Sequence, residues 1–164
     1  HNFIVDVIKS EKNPSVELAA AEFPFVVAVD DFTISGRVDD IVILKVDQRK
    51  VLIEVKSTSY IEYLDAPKEA HAIQLLLYMQ AIKIFDGFLL YVEKNTLKTK
   101  SFPVTYDEAL VTLTLNRFRK LHQHLTSKML PDPEARIVKA LHWMCATCNY
   151  HEECYQATPK EILP

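Results

Sequence analysis

At 164 residues, with 49% hydrophobic and 25% charged residues, the chain has the size and balance of one ordinary globular domain around a single core. A net charge of −3 gives no overall attraction to phosphates, so any contact with nucleic acid has to come from local basic patches or bound metal ions. No apolar run reaches the ~18 residues of a membrane span and no leader pattern is present, which leaves the cytoplasm as the expected location and no membrane as a partner.

The opening HNFIVDVIKSEKN places Phe3, Ile4, Val7 and Ile8 on one face of a helix that ends before Asn13-Pro14. A chain starting on the first turn of a helix, with no capping residue ahead of His1, leads to the expectation of a missing upstream segment. Ser15 to Val29 is mixed in pattern but rich in Val, Phe and Ala, and Asp30-Asp31 marks a turn. FTISGRVDDIVILKV is β-branched and apolar, as in a strand at the centre of a sheet. Asp47 to Lys50 then reverse the chain into VLIEVKST, residues 51 to 58, so the two runs should pair as an antiparallel hairpin. With the turn centred near Gln48, Asp39 falls within one or two residues of the position opposite Glu54.

The apolar content of SYIEYLDAP predicts a loop packed on something. Lys68 to Phe85 carries Ala70, Ile73, Leu77, Ala81 and Ile84 at helical spacing and is closed by Asp86-Gly87. GFLLYVEKNTLKTKSFPV alternates and turns at Lys94-Asn95-Thr96, giving two more strands. Tyr106 to about Lys128 reads as a long helix, acidic at its start and basic towards its end in agreement with the helix dipole. A tail from Pro131 adds a helix candidate at Glu134 to Trp143. The fold class is α/β (α+β), with a central mixed sheet of about five strands flanked by helices.

VLIEVKST holds the first candidate chemistry. Side chains alternate along a strand, so Glu54 and Lys56 project to one side and Val55 to the other. An acid and a base on an apolar strand are costly unless paired or bound to an ion. An ion network among Asp39, Glu54 and Lys56 is one explanation. The other is a site for magnesium or manganese, which are held by one or two carboxylates plus waters and a substrate phosphate. Such an ion polarises a phosphodiester and lowers the pKa of a bound water, and Lys56 would position that water or stabilise developing charge. Asp40 adjoins Asp39, and only one of the two can face the site.

All three cysteines, Cys145, Cys148 and Cys154, lie within ten residues in CATCNYHEEC, an odd number that suits a soft metal or iron-sulfur cluster better than a disulfide framework. Trp143 and Tyr150 could shield it. A zinc ion would need a fourth ligand, for which His142 and His151 are both near enough in sequence. Three buried free cysteines are the remaining alternative.

Gly36 to Asp39 in GRVDDIV, Glu54 and Lys56 in IEVKST, and Gln74 with Tyr78 in HAIQLLLYMQ form the ordered series GxxD, ExK, QxxxY. In that order the chain resembles the PD-(D/E)XK nuclease superfamily and its RecB-like branch. The resemblance implies a restriction-endonuclease-like core in which Asp39 and Glu54 bind metal, Lys56 serves the attacking water, and Gln74 and Tyr78 order the site and the DNA strand. Glycine spacing selects Asp39, leaving Asp40 solvated or capping. His1 matches a histidine that adds an imidazole to the metal site in that branch, although a tag remnant would also stand first.

The cysteine triplet is similar to that of CRISPR-associated RecB-like exonucleases and AddB-type helicase-nucleases. It implies a 4Fe-4S cluster, whose fourth cysteine lies upstream in those families and is not in this sequence. By resemblance, then, residues 1–135 are a nuclease core and 136–164 a cluster-binding tail packed on the same domain. The implied function is a metal-dependent deoxyribonuclease trimming single-stranded DNA ends, extending to spacer precursors for CRISPR integrase proteins in antiviral defence. A nuclease domain of a larger helicase-nuclease or viral recombination enzyme is the runner-up, and an inactive DNA-binding or scaffold module is the alternative outside enzymes. Lys94, Lys98, Lys100, Arg117, Arg119 and Lys120 are basic candidates for the DNA backbone, and Tyr60 and Tyr63 could stack bases of a single strand.

Overall fold

The structure, a computed structural model, describes Asp6 and residues 14–156; His1 and the helix expected over Phe3 to Ile8 lie outside the described residues. The chain divides into two compact units, one through Thr114 and one from Leu115.

The first unit is built on a five-stranded sheet in the order β1 (Val16–Val29), β2 (Phe32–Leu44), β3 (Lys50–Thr58), β4 (Asp86–Glu93) and β5 (Thr99–Thr105). Neighbours run antiparallel except β3 and β4, which are parallel. A parallel pair needs a crossover, here supplied by α1 (Glu69–Ile82). The sheet is therefore mixed, as its sequence pattern indicates. Asp30 and Gln48 take positive φ, 51° and 60°, at the two reversals that separate β1, β2 and β3. Val38, Val42, Val51, Leu52, Leu89 and Tyr91 from the three inner strands are buried, as are Leu75, Leu76 and Met79 of α1, and Val42 with Val51 makes a cluster against which Val16, Leu18, Leu44 and Ile53 pack.

Helix α1 differs from its sequence reading in extent and in face. It stops at Ile82 because Lys83 adopts the left-handed conformation, φ 62°, and donates its N–H to the Met79 carbonyl at 2.8 Å. Ile84 thus belongs to the connection. The buried residues are Leu75, Leu76 and Met79, whereas Ala70, from the expected stripe, is exposed. HAIQLLLYMQAI is apolar nearly all round, and a helix without a strongly polar face carries no signal for which side turns inward. Gly87 lets the helix approach β4: a Cβ there would lie 2.5 Å from Met79 Cε and 3.2 Å from Leu75 Cδ2.

Helix α2 (Glu108–Ser127) begins in the first unit, where Asp107 Oδ1 accepts the Leu110 N–H at 2.9 Å as a cap, and continues into the second. The second unit also holds α3 (Glu134–Ile137), a 3₁₀ stretch over Lys139–Thr147 and α4 (His151–Gln156). The single helix expected over Glu134 to Trp143 is interrupted at Val138, which is extended at φ −92°, ψ 107°. Neither segment buries a residue, so no packed face sustains a longer α-helix. Among the described residues no helix is long and apolar enough to cross a membrane.

Gly36 sits opposite Phe25 across β1 and β2, and the ring lies over it: a Cβ at Gly36 would be 2.5 Å from Phe25 Cζ and 3.1 Å from Tyr78 Cε1. Gly36→Ala should therefore cost ~1–3 kcal/mol by urea denaturation, with part of the loss recovered when Phe25→Leu is added.

Candidate active site

The β2–β3 ladder pairs Ile43 with Lys50 through to Asp40 with Ile53. One step further, the N–H of Val55 is accepted by Oδ2 of Asp39 at 2.8 Å, where a continuing ladder would have offered a backbone carbonyl. That bond brings the Asp39 carboxylate beside Glu54. Glu54 is 3% exposed, with Oε1 accepting from Lys56 Nζ at 2.6 Å and Oε2 buried without a hydrogen-bond partner among the described residues. Lys56 Nζ also donates to Gln74 Oε1 at 2.8 Å, and Gln74 Nε2 donates to the Tyr78 hydroxyl at 2.6 Å. Tyr78 in turn packs edge-on against Phe25, with ring centroids 5.3 Å apart. Asp39, Glu54, Lys56, Gln74 and Tyr78 therefore meet in one place in the first unit, from β2, β3 and α1.

The electrostatics of this cluster are those of a site short of positive charge. Burial raises the Glu54 pKa above its ordinary 4.5, opposed by the Lys56 hydrogen bond and reinforced by the Asp39 charge. Asp39 is likewise raised above 3.8 by burial, against the Val55 N–H and the Lys56 charge. Two desolvated carboxylates share one ammonium, and the bare Oε2 of Glu54 is a fitting oxygen ligand for a hard cation. Among the described residues no three His, Cys, Asp or Glu side chains converge closely enough to hold an ion by themselves. Two carboxylates agree with magnesium or manganese completing its shell with water and substrate oxygen.

Asp40 corrects the sequence reading, which had it solvated or capping. It is wholly buried, on the face of β2 opposite to Asp39. Two further residues escaped sequence reasoning. Glu22, at φ 51° on β1, lies near enough to Asp39 to raise its pKa and pairs with Arg37 at 3.3 Å. Only the β1–β2 register, with Phe23 opposite Val38 and Ala21 opposite Asp40, brings it there. His71 Nδ1 lies 2.8 Å from the Tyr91 hydroxyl, and burial, with the Lys56 charge, lowers its pKa and keeps it neutral. Its spacing, three residues before Gln74 and seven before Tyr78, was a readable signal.

Tyr60 and Tyr63 are exposed, their rings edge-to-face at 6.1 Å. Ile61 between them is buried, and its N–H donates to Glu93 Oε1 at 3.1 Å. Of the basic candidates, Lys98 pairs with Glu62 at 3.3 Å, Arg117 with Glu134 at 2.7 Å and Lys120 with Asp132 at 3.3 Å, while Arg119 donates to Asn116. In the second unit Cys145, Cys148 and Cys154 are free thiols lining one cavity of about 190 Å³, together with Arg136, His151 and Tyr155.

The sequence profile of the PD-(D/E)XK nuclease superfamily matches residues 2–155, and the chain belongs to that superfamily. Among solved structures, the crystal structure of SSO0001 is similar with a TM-score of 0.55 and 21% identity, a likeness of fold. The match covers 92% of this chain and 63% of that one, so the chain spans less than two-thirds of SSO0001. No curated protein sequence matches.

Manganese should raise the melting temperature of the chain and lose that effect in Glu54→Gln and Asp39→Asn, by calorimetry. Without metal, a carboxyl whose folded pKa is raised contributes stability below its unfolded pKa and loses it as pH climbs through the folded one. The melting temperature of Glu54→Gln relative to wild type should accordingly increase from acid towards neutral pH.

Proposed function

We propose that the chain is a metal-dependent deoxyribonuclease acting on single-stranded ends, with Asp39 and Glu54 as metal ligands, Lys56 as the residue serving the attacking water, and Gln74 and Tyr78 completing the site. The observation that carries this reading is the buried, unpartnered Oε2 of Glu54 beside Asp39 and Lys56. A divalent ion bound there supplies charge neutralisation on the phosphodiester and a water of lowered pKa. The chain's own residues supply position. An ammonium has three donors, and Lys56 commits two, to Glu54 and Gln74. The third is left to orient a water or a phosphate oxygen, and the two bonds already made hold it without further ordering cost. Gln74, fixed by Tyr78, keeps the ammonium from turning wholly to Glu54. His1, outside the described residues, is proposed as an added imidazole ligand.

The single-strand preference draws support from Tyr60 and Tyr63, exposed aromatic faces on a loop anchored by Ile61 just after the strand that carries Glu54 and Lys56. For the tail we propose a 4Fe-4S cluster rather than zinc. This reading is supported by the C-x2-C-x5-C spacing and by the one cavity that the three thiols line. A role in preparing spacer precursors with CRISPR integrase proteins rests on motif order alone.

Lys56→Ala and Glu54→Gln should each lower manganese-dependent cleavage of single-stranded DNA by at least ~10²-fold, and undiminished cleavage in either overturns the assignment. Manganese binding without any cleavage would favour the scaffold reading. Tyr60→Ala with Tyr63→Ala should weaken single-strand binding by ~1–3 kcal/mol per base lost, with turnover at saturating DNA preserved.

A further inference from the structure

His71 stands beside the candidate active site without a part in it. It lies on the first turn of α1, one turn before Gln74, and so shares the helix face that carries the amide to Lys56. Against it rests Tyr91 of β4, a fully buried side chain whose Cα pairs with that of Lys56 in the parallel ladder. Paired residues of neighbouring strands project to the same side of a sheet, so Lys56, Tyr91 and His71 belong to one face. The rings of His71 and Tyr91 are tilted by 35° with centroids 5.7 Å apart.

The hydrogen bonds around the Tyr91 hydroxyl fix the tautomer of the imidazole. That oxygen accepts the Lys68 N–H at 3.0 Å and lies 2.8 Å from His71 Nδ1. A buried hydroxyl carries one proton that needs an acceptor, and a backbone N–H cannot be one. Nδ1 is the acceptor left to it among the described residues, so the proton of the neutral ring sits on Nε2. Nε2 has no partner among the described residues and is not enclosed, so it offers that proton outward. Burial, followed by the Lys56 and Lys68 charges, lowers the pKa of His71 and holds the ring neutral. The same two ammonium groups make its surroundings attractive to an anion.

Asp39 and Glu54 approach each other where β2 meets β3, whereas His71 is over β4. Neighbouring strands lie ~4.8 Å apart, so a phosphate held at the carboxylates is displaced from the imidazole by more than one strand spacing. The next phosphate along the same nucleic-acid strand is the group that fits.

We infer that His71 is a substrate-binding residue, its Nε2–H donating to a non-bridging oxygen of a phosphate next to the scissile one in single-stranded DNA. The inference rests on the nuclease reading above. A neutral donor fixes the register of the strand without releasing counterions, and unlike another cation it does not compete with Lys56 for Glu54.

The test is binding of a single-stranded oligonucleotide by the full chain in metal-free buffer, where no cleavage is needed for a signal. His71→Asn keeps an acceptor for the Tyr91 hydroxyl but reaches no farther, and should weaken binding roughly 10–100-fold, the loss of one hydrogen bond to a charged group. The slope of affinity against salt should stay as in wild type, since a neutral ring displaces no counterion. One methylphosphonate linkage, moved along the oligonucleotide, should find a position that weakens wild type and adds nothing in His71→Asn. A purely structural histidine would give additive losses at every position. His71→Leu, measured in the same way, is the second variant should the first melt below the assay temperature. Wild-type affinity in the folded variant, a reduced salt slope, or additive losses throughout overturn the inference, as does a wild-type chain that binds no DNA. Wild-type DNA binding without cleavage in manganese overturns the nuclease reading, and the methylphosphonate coupling then still decides for or against the His71 contact.

Discussion

The Asp39–Val55 hydrogen bond is the constraint on which the site depends. A carboxylate takes the place of a carbonyl at the point where β2 and β3 cease to pair, and this substitution does two things at once. It satisfies a backbone donor that the shortened ladder leaves over, and it turns Asp39 towards Glu54. The stability of the strand pair and the geometry of the acids are the same feature.

Around that point the fold arranges a graded burial. Glu54 is nearly enclosed, while Asp39, Lys56, Gln74 and Tyr78 are partly open. Burial raises both carboxyl groups, and the single ammonium offsets only part of the cost. A fold without a functional reason for this arrangement would replace the acids with apolar residues, since a buried ion pair contributes little net stability over a hydrophobic pair. The charge imbalance is instead suited to a cation and an anionic substrate arriving together. Helix α1 holds the other side: Leu75, Leu76 and Met79 dock it while Gln74 and Tyr78, on the adjoining face, reach Lys56 and the Phe25 ring.

Gly36 shows how the same site reaches into β1. It provides room for the Phe25 ring and, through that ring, sets where Tyr78 rests. The motif glycine therefore acts by volume, for its backbone is not in the left-handed region. The second unit differs in character beyond α2, its later helices short and its segments from Glu134 to Thr147 without a buried residue.

The linear sequence by itself determined the succession of strands and helices, with a mixed sheet as its consequence, and the acid, base and amide that share a side, because alternation on a strand and the four-residue step on a helix are local geometry. Glu54 beside Lys56, and Gln74 above Tyr78, could be placed before any fold was known. Local geometry could not choose the inward face of α1, where nearly every side is apolar, or show that Asp40 is enclosed, which depends on what packs over its face of the sheet. It was equally silent on Glu22, which lies 17 positions before Asp39 in the chain and reaches it only through the β1–β2 register. Contacts between residues distant in sequence are selected by packing and ladder register, and those are properties of the assembled sheet.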